Sequence, residues 1–357
     1  MMQVAVGNDG KRWVVPDQTA ELLRRRGVQT SPLEYTPYRG QSLDGKRLLV
    51  ARYGGGGDLL FITGLVRELK RRWPGARIDV ICDRKWHFIW STNRDVQRYM
   101  AYRRRFTVEE IEEHDYLLIF EGLIEADPAP RGNVYDLFYE RAGIDPATVP
   151  PENKRPHWTP APGDAKKARR LLRELGVKDR PTVAVQWRSN SPIRTYPSRP
   201  LWQVCRELAD AGCEVLILGR DREVPRWARG ESIHRLAEND ARIEVLAALV
   251  GMVDLLVGPD SFFTHLAAAV ETPSVALYGP FTAESRVKYY PRCTTLEAKA
   301  ECAPCFIHGH QPCPNAAVSS GACWASLPPG LIAETCLEVL NGGSERERRE
   351  EHAQATA

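Results

Sequence analysis

Residues 255–281, LLVGPDSFFTHLAAAVETPSVALYGPF, constrain the fold more than any other part of this chain. An apolar run at 255–257 stops at Gly258-Pro259-Asp260-Ser261, and a small-residue helical pattern follows at 264–270. A second apolar run, Ser274–Tyr278, ends at Gly279-Pro280. The order is strand, turn, helix, strand, turn. Parallel α/β sheets bind ligands outside the carboxyl ends of their strands. Asp260 and Ser261 stand at one such end, and Gly279 and Pro280 at the next. Either Asp260 or Ser261 can cap the helix, whose first-turn N–H groups suit a phosphate. His265 lies about one turn in, either facing the same ligand or satisfied in the core.

The same rhythm extends in both directions. Residues 48–53 read as a buried strand that runs into Gly54-Gly55-Gly56-Gly57-Asp58. The helix after it carries Ile62, Leu65, Val66, Leu69 and Trp73 on one face. Strands are expected at 78–82 and 116–121. Residues 151–163 are a proline-rich linker, with prolines at 151, 156, 160 and 162. Beyond it the strands expected are 182–187, 215–219, 255–257 and 274–278. The helices are 164–175, 201–211, 243–250, 261–270 and about 329–340. The domains are therefore an N-terminal extension, 1–44; a first α/β domain, 45–150; the linker; a second α/β domain, 164–341; and a polar tail, 342–357, expected to be disordered. The fold class is α/β, with two Rossmann-like domains facing across a cleft.

Three segments carry chemistry. The loop at 54–58 is not a Walker A loop, because no Gly-Lys-Ser/Thr follows, and Leu59 occupies the place of a third fingerprint glycine. Gly56 and Gly57 let backbone approach a ligand closely. Asp58 either caps the following helix or accepts a proton from a hydroxyl as a general base. The segment QWRSNSPIRTYP places Arg188, Ser189, Asn190 and Arg194 after a strand, where guanidinium groups can take phosphate oxygens in pairs. Such arginines are otherwise ordinary surface residues.

The third segment is Cys302-x2-Cys305-x7-Cys313-x9-Cys323, four of the chain's nine cysteines in one loop. Four thiolates suit a tetrahedral Zn or Fe ion. His308 or His310 could replace one of them, and free thiols or labile disulfides are the alternative. Four protein ligands close the coordination sphere, so the ion would be structural and no catalytic metal is expected.

With 43% hydrophobic and 27% charged residues, the composition is that of a soluble globular protein. No apolar run nears the ~20 residues of a membrane span, and the N-terminus has no signal pattern. Cytoplasmic placement is the expectation, with membrane-surface contact left open by basic clusters at 24–26, 70–72 and 103–105. A net charge of +3 gives no nucleic-acid signature.

These residues together resemble glycosyltransferase family 9, the heptosyltransferases of lipopolysaccharide biosynthesis, over about residues 46–340. The family's first signature stands as Gly56-Gly57-Asp58 through Trp73-Pro74-Gly75-Ala76. Its second stands as Asp260-Ser261-Phe262-Phe263-Thr264-His265-Leu266-Ala267-Ala268, followed by Gly279-Pro280. Its Lys/Arg-x-Trp-Pro element is similar to Arg194-Thr195-Tyr196-Pro197, and its Gly-x3-Glu element to Gly219 through Glu223. Phe262-Phe263 replaces the usual Gly-Pro, Arg194 replaces the commoner Lys, and residues 1–44 have no counterpart.

The resemblance implies a GT-B fold, an ADP-activated donor such as ADP-heptose, and inversion at the anomeric carbon. It implies Asp58 as base, with Arg194, Asp260, Ser261 and His265 around the donor and Glu223 on the ribose. Autotransporter heptosyltransferases of this group bind iron through cysteines matching Cys302, Cys305, Cys313 and Cys323. The function expected is transfer of a sugar, heptose foremost, from an ADP-sugar to a hydroxyl of a saccharide or protein. Oligomerisation is left open. The rivals are a sugar-nucleotide epimerase and a non-catalytic, metal-stabilised scaffold.

Overall fold

The computed structural model describes residues 2–101, 106–126, 132–219, 224–236, 242–307, 311–315 and 321–355. Glu223, His308, His310 and the basic cluster 103–105 lie outside the described residues. The chain divides into two compact units, the first ending at Arg155 and the second beginning at Pro156, with Asn133 counted in the second.

The first unit contains β1 (Met2–Val6), β2 (Arg12–Pro16), β3 (Thr30–Pro32), β4 (Arg47–Ala51), β5 (Arg77–Cys82), β6 (Arg98–Ala101), β7 (Phe106–Thr107) and β8 (Tyr116–Ile119). β4, β5, β6 and β8 form a parallel sheet in the order β6-β5-β4-β8. Chain order reverses between β4 and β8, so a crevice opens beyond their carboxyl ends. The N-terminal residues build an antiparallel sheet, β3-β1-β2-β7, with β7 supplied from beyond the parallel sheet's third strand. Val4, Val14 and Leu33 of this sheet share one buried cluster with Leu49, Ala51, Ile81 and Leu117. The extension is thus packed onto the parallel sheet as part of its core.

The second unit is a six-stranded parallel sheet of β9 (Thr182–Gln186), β10 (Glu214–Leu218), β11 (Ile233–Arg235), β12 (Leu255–Pro259), β13 (Ser274–Tyr278) and β14 (Cys293–Glu297). Its order is β11-β10-β9-β12-β13-β14, the 3-2-1-4-5-6 order of a dinucleotide-binding fold. Every residue of β9, β10, β12 and β13 is buried, as expected of strands covered by helices on both faces. β12 lies beside β9 with Leu255 opposite Val183 and Val257 opposite Val185. The switch point therefore falls between β9 and β12, where residues 186–194 and 260–261 leave the sheet. β12 extends two residues past the expected end, through Gly258 and Pro259. A Cβ at Gly258 would come within 2.7 Å of Gln186 Cβ, so the glycine permits the two strands to lie this close.

The last helix runs Pro329–Ala355, well beyond the end of its apolar pattern near Leu340. The tail expected to be disordered is rich in Glu, Arg and Ala, which favour helix. No helix among the described residues is long and apolar enough to cross a membrane.

Candidate functional site

In the first unit, Asp58 lies in the first turn of the helix Gly56–Arg72, whose N-cap is Gly55. The helix has no side-chain cap, so Asp58 does not act as one. Its Oδ2 instead accepts from Arg52 Nη2 at 2.6 Å and from Arg52 Nε at 3.3 Å. Arg52 is 1% exposed and follows β4 directly. Its Nη1 donates to the Phe120 carbonyl, just past β8, at 3.0 Å and lies 3.8 Å from Glu121 Oε2. Glu121 also accepts from the Tyr53 backbone N–H. One buried guanidinium thus spans the switch point with a carboxylate on either side. A side chain at Gly54 would run into both the Asp58 carboxylate and the Arg52 guanidinium, which accounts for the first glycine of the loop. Gly56 is buried in the helix's first turn, and Gly57 is partly exposed beside Asp58.

In the second unit, Asp260 emerges from β12 and is 3% exposed. Arg194 Nη1 donates to Asp260 Oδ2 at 3.1 Å and to its carbonyl at 3.2 Å. His265 Nε2 stands 3.5 Å from Oδ1, and Arg286 Nε 3.9 Å from Oδ2. Burial works to raise the Asp260 carboxyl, but Arg194, His265 and Arg286 outweigh it and hold the group well below the usual carboxylate range. His265 Nδ1 is 2.8 Å from the Tyr290 hydroxyl, which fixes the ring. Ser189 donates to the Asp260 carbonyl at 3.4 Å.

Neither Asp260 nor Ser261 caps the helix Phe262–Ala269, contrary to expectation, because Ser261 spends its hydroxyl on Gln186 Oε1. The N-cap residue Ser261 thus makes no side-chain hydrogen bond to the first turn of that helix. Arg188 and Asn190 are exposed, and no hydrogen bond among the described residues gathers their side chains to Asp260. Gly279 has a packing role: a Cβ there would meet Cys323 Sγ and Trp324 Cζ2 at 2.9 Å. The Pro280 carbonyl accepts from the Phe306 N–H at 2.7 Å, which ties the cysteine loop to the end of β13.

Arg286 belongs to no motif that the sequence displays. It is 4% exposed and lies over the Phe281 ring, 4.4 Å from its centroid. Its Nε and Nη2 have no hydrogen-bond partner among the described residues, and neither does Arg194 Nε. The Tyr278 hydroxyl is likewise buried and unpartnered. The only sequence signal for Arg286 is a basic residue soon after the Gly279-Pro280 strand end.

Cys302 and Cys305 are partly exposed, Cys313 and Cys323 buried, and none forms a disulfide. Burial, followed by the charges of Cys302, Cys305 and Cys313, pushes the Cys323 thiol up to about 11. Among the described residues, however, no three His, Cys, Asp or Glu side chains are arranged around a single metal position.

The chain thus carries two parallel α/β sheets, and at the switch point of the second Arg194, Arg286 and His265 gather around Asp260. Residues 140–314 match the family model described as glycosyltransferase family 9 (heptosyltransferase), which bears out the resemblance. The chain is similar to lipopolysaccharide heptosyltransferase 3 of Escherichia coli (strain K12), 32% identical over 122 residues. That match spans 32% of this chain and 35% of the relative, about a third of the relative's length. Among solved structures it is similar to ADP-heptose lipopolysaccharide heptosyltransferase II of E. coli, with a TM-score of 0.63 at 15% identity, covering 84% of this chain and 99% of that one. It is also similar to the iron-containing dodecameric glycosyltransferase TibC from enterotoxigenic E. coli H10407, with a TM-score of 0.59 at 15% identity, covering 93% and 82%. At these identities the two structures establish the GT-B fold.

Proposed function

We propose that this protein is an inverting glycosyltransferase that moves a heptose from an ADP-heptose donor to a hydroxyl of a saccharide or protein acceptor. The observation that carries the reading is the Arg194–Asp260–His265 cluster at the switch point between β9 and β12. Two of the structures or relatives above are named for heptose transfer, and one of those names contains the donor, ADP-heptose.

The chemistry follows from the residues. The acceptor oxygen attacks the anomeric carbon, the carbon–oxygen bond to the diphosphate breaks, and ADP departs. Asp58 takes the acceptor proton. Arg194 and the first-turn N–H groups of the helix Phe262–Ala269 bear the charge that gathers on the leaving diphosphate. Asp260 serves as counter-ion that fixes the cations, and Glu223 is assigned to the ribose by its motif position. Gly56 and Gly57 let backbone approach the donor closely, and Arg188, Ser189 and Asn190 line the donor's route.

Cys302, Cys305, Cys313 and Cys323 are proposed to hold one Fe or Zn ion. The soft donor set supports this, and an iron-containing structural neighbour adds weight. Such an ion would supply structural cross-linking of the loop.

Incubation with ADP-heptose tests the reading. Calorimetric binding of ADP-heptose and ADP is expected, with sugar left unchanged when no acceptor is added. Conversion of the sugar without acceptor would favour an epimerase. Absence of any ADP-sugar binding would sink the transferase.

A further inference from the structure

We infer that Arg286, seated on Phe281, is a second anion-binding guanidinium of the site, taking a diphosphate oxygen alongside Arg194. A guanidinium presents five N–H donors, and burying it without acceptors is unfavourable. Arg286 is 4% exposed, yet Nε and Nη2 lack any hydrogen-bond partner among the described residues. Asp260, its ion-pair partner among the described residues, stands 3.9 Å away, too far for a hydrogen bond, and is already engaged by Arg194 at 3.1 Å. Two guanidinium charges thus face a single carboxylate, which leaves a surplus positive charge.

One other donor at this place is in the same condition among the described residues. Arg194 Nε is also buried and unpartnered, and the helix Phe262–Ala269 begins beside it without a side-chain cap. Helix N-termini and forked guanidinium groups share one preferred ligand, an oxyanion with several acceptor oxygens. The Phe281 ring fixes the plane of Arg286 at 4.4 Å and is itself packed edge-on against Phe306. The stack holds the charge in place while leaving its edge N–H groups to the ligand.

This rests on the proposed donor reading, and the probes separate the two. Binding of inorganic diphosphate, ADP and adenosine is measured by calorimetry for the wild type, Arg286→Gln and Arg286→Lys. The expected result is a roughly 10- to 100-fold loss of diphosphate and ADP affinity in Arg286→Gln, with a smaller loss in Arg286→Lys, which keeps the charge but not the fork. The unliganded unfolding midpoint of Arg286→Gln should be unchanged or higher, since an unpaired buried charge has been removed. Unchanged diphosphate affinity in folded Arg286→Gln or Arg286→Lys overturns the inference. So does a wild type that binds no diphosphate. A wild type that binds diphosphate through Arg286 but neither ADP nor adenosine keeps this inference and removes the nucleotide-sugar donor.

Discussion

Arg52 donates two hydrogen bonds to one oxygen of Asp58, Oδ2, while its third nitrogen holds the Phe120 carbonyl across the first sheet's switch point. The candidate base is therefore oriented by a residue six positions upstream, just past the end of the preceding strand. It stands free of capping duty, with the second oxygen of its carboxylate not engaged by Arg52. A carboxylate held this way presents a fixed lone pair to an incoming hydroxyl.

Asp58→Asn keeps the shape and can still accept from Arg52 through its amide oxygen. It should fold normally and bind ADP-sugar, yet lose about 10²–10⁴-fold in turnover, the usual worth of a general base. Turnover within a few-fold of wild type would assign Asp58 to loop structure alone.

Much of this arrangement is visible in the sequence, because long apolar runs bounded by Gly, Pro and Asp mark buried parallel strands. Ser274–Tyr278 matches its expected bounds, and β9 and β10 match within one residue. The edge strands β6, β11 and β14 are not legible. β11 is three residues long and β14 alternates partial exposure, so neither offers an apolar run. Asp260 and His265 are legible as a motif. The partner of Ser261 is not, since Gln186 comes from another strand 75 residues away. Arg286 is hidden for the same reason: its burial depends on Phe281 and Asp260, contributed by different strand ends.

Arg194 touches Asp260 twice, and its Nε has no acceptor among the described residues. Arg194→Ala should weaken ADP-sugar binding by roughly 1.5–3 kcal/mol, the range for hydrogen bonds to charged groups. Calorimetry reads this directly, and an unchanged donor affinity would remove Arg194 from the site.

Away from the site, Asp79 sits on β5 at the opposite end of the first sheet, 1% exposed. Its Oδ2 meets His114 Nε2 at 3.0 Å, Arg98 Nε at 3.1 Å and Arg47 Nη2 at 3.3 Å. Burial tends to raise this carboxyl, but the His114 hydrogen bond and the Arg98 charge prevail and lower it. A carboxyl lowered in the folded state adds stability above its unfolded value, about 4, and loses it as pH falls through the folded value. The unfolding midpoint should therefore drop as pH falls below about 4. Asp79→Asn should flatten part of that slope and be less stable by on the order of 1–3 kcal/mol at neutral pH. A parallel pH profile for the variant and the wild type would show that the network contributes nothing to acid stability.

The cysteine loop reaches the donor side through short, identifiable contacts. Phe306 donates its N–H to the Pro280 carbonyl and packs against Phe281, while Cys323 and Trp324 fill the space a side chain at Gly279 would need. If Cys302, Cys305, Cys313 and Cys323 hold one ion, elemental analysis should find about one Fe or Zn per chain. Metal binding free energy at a closed site is also folding free energy. Cys305→Ser should therefore lower metal content and thermal stability together. Turnover should survive in the fraction that stays folded, because a closed four-ligand ion offers no open position to a substrate. A metal-free preparation with full stability would refute the site. Rapid loss of turnover in a fully folded, metal-depleted sample would instead show that the ion acts beyond structure, and the contacts from Phe306 to Phe281 are where that influence would first be felt.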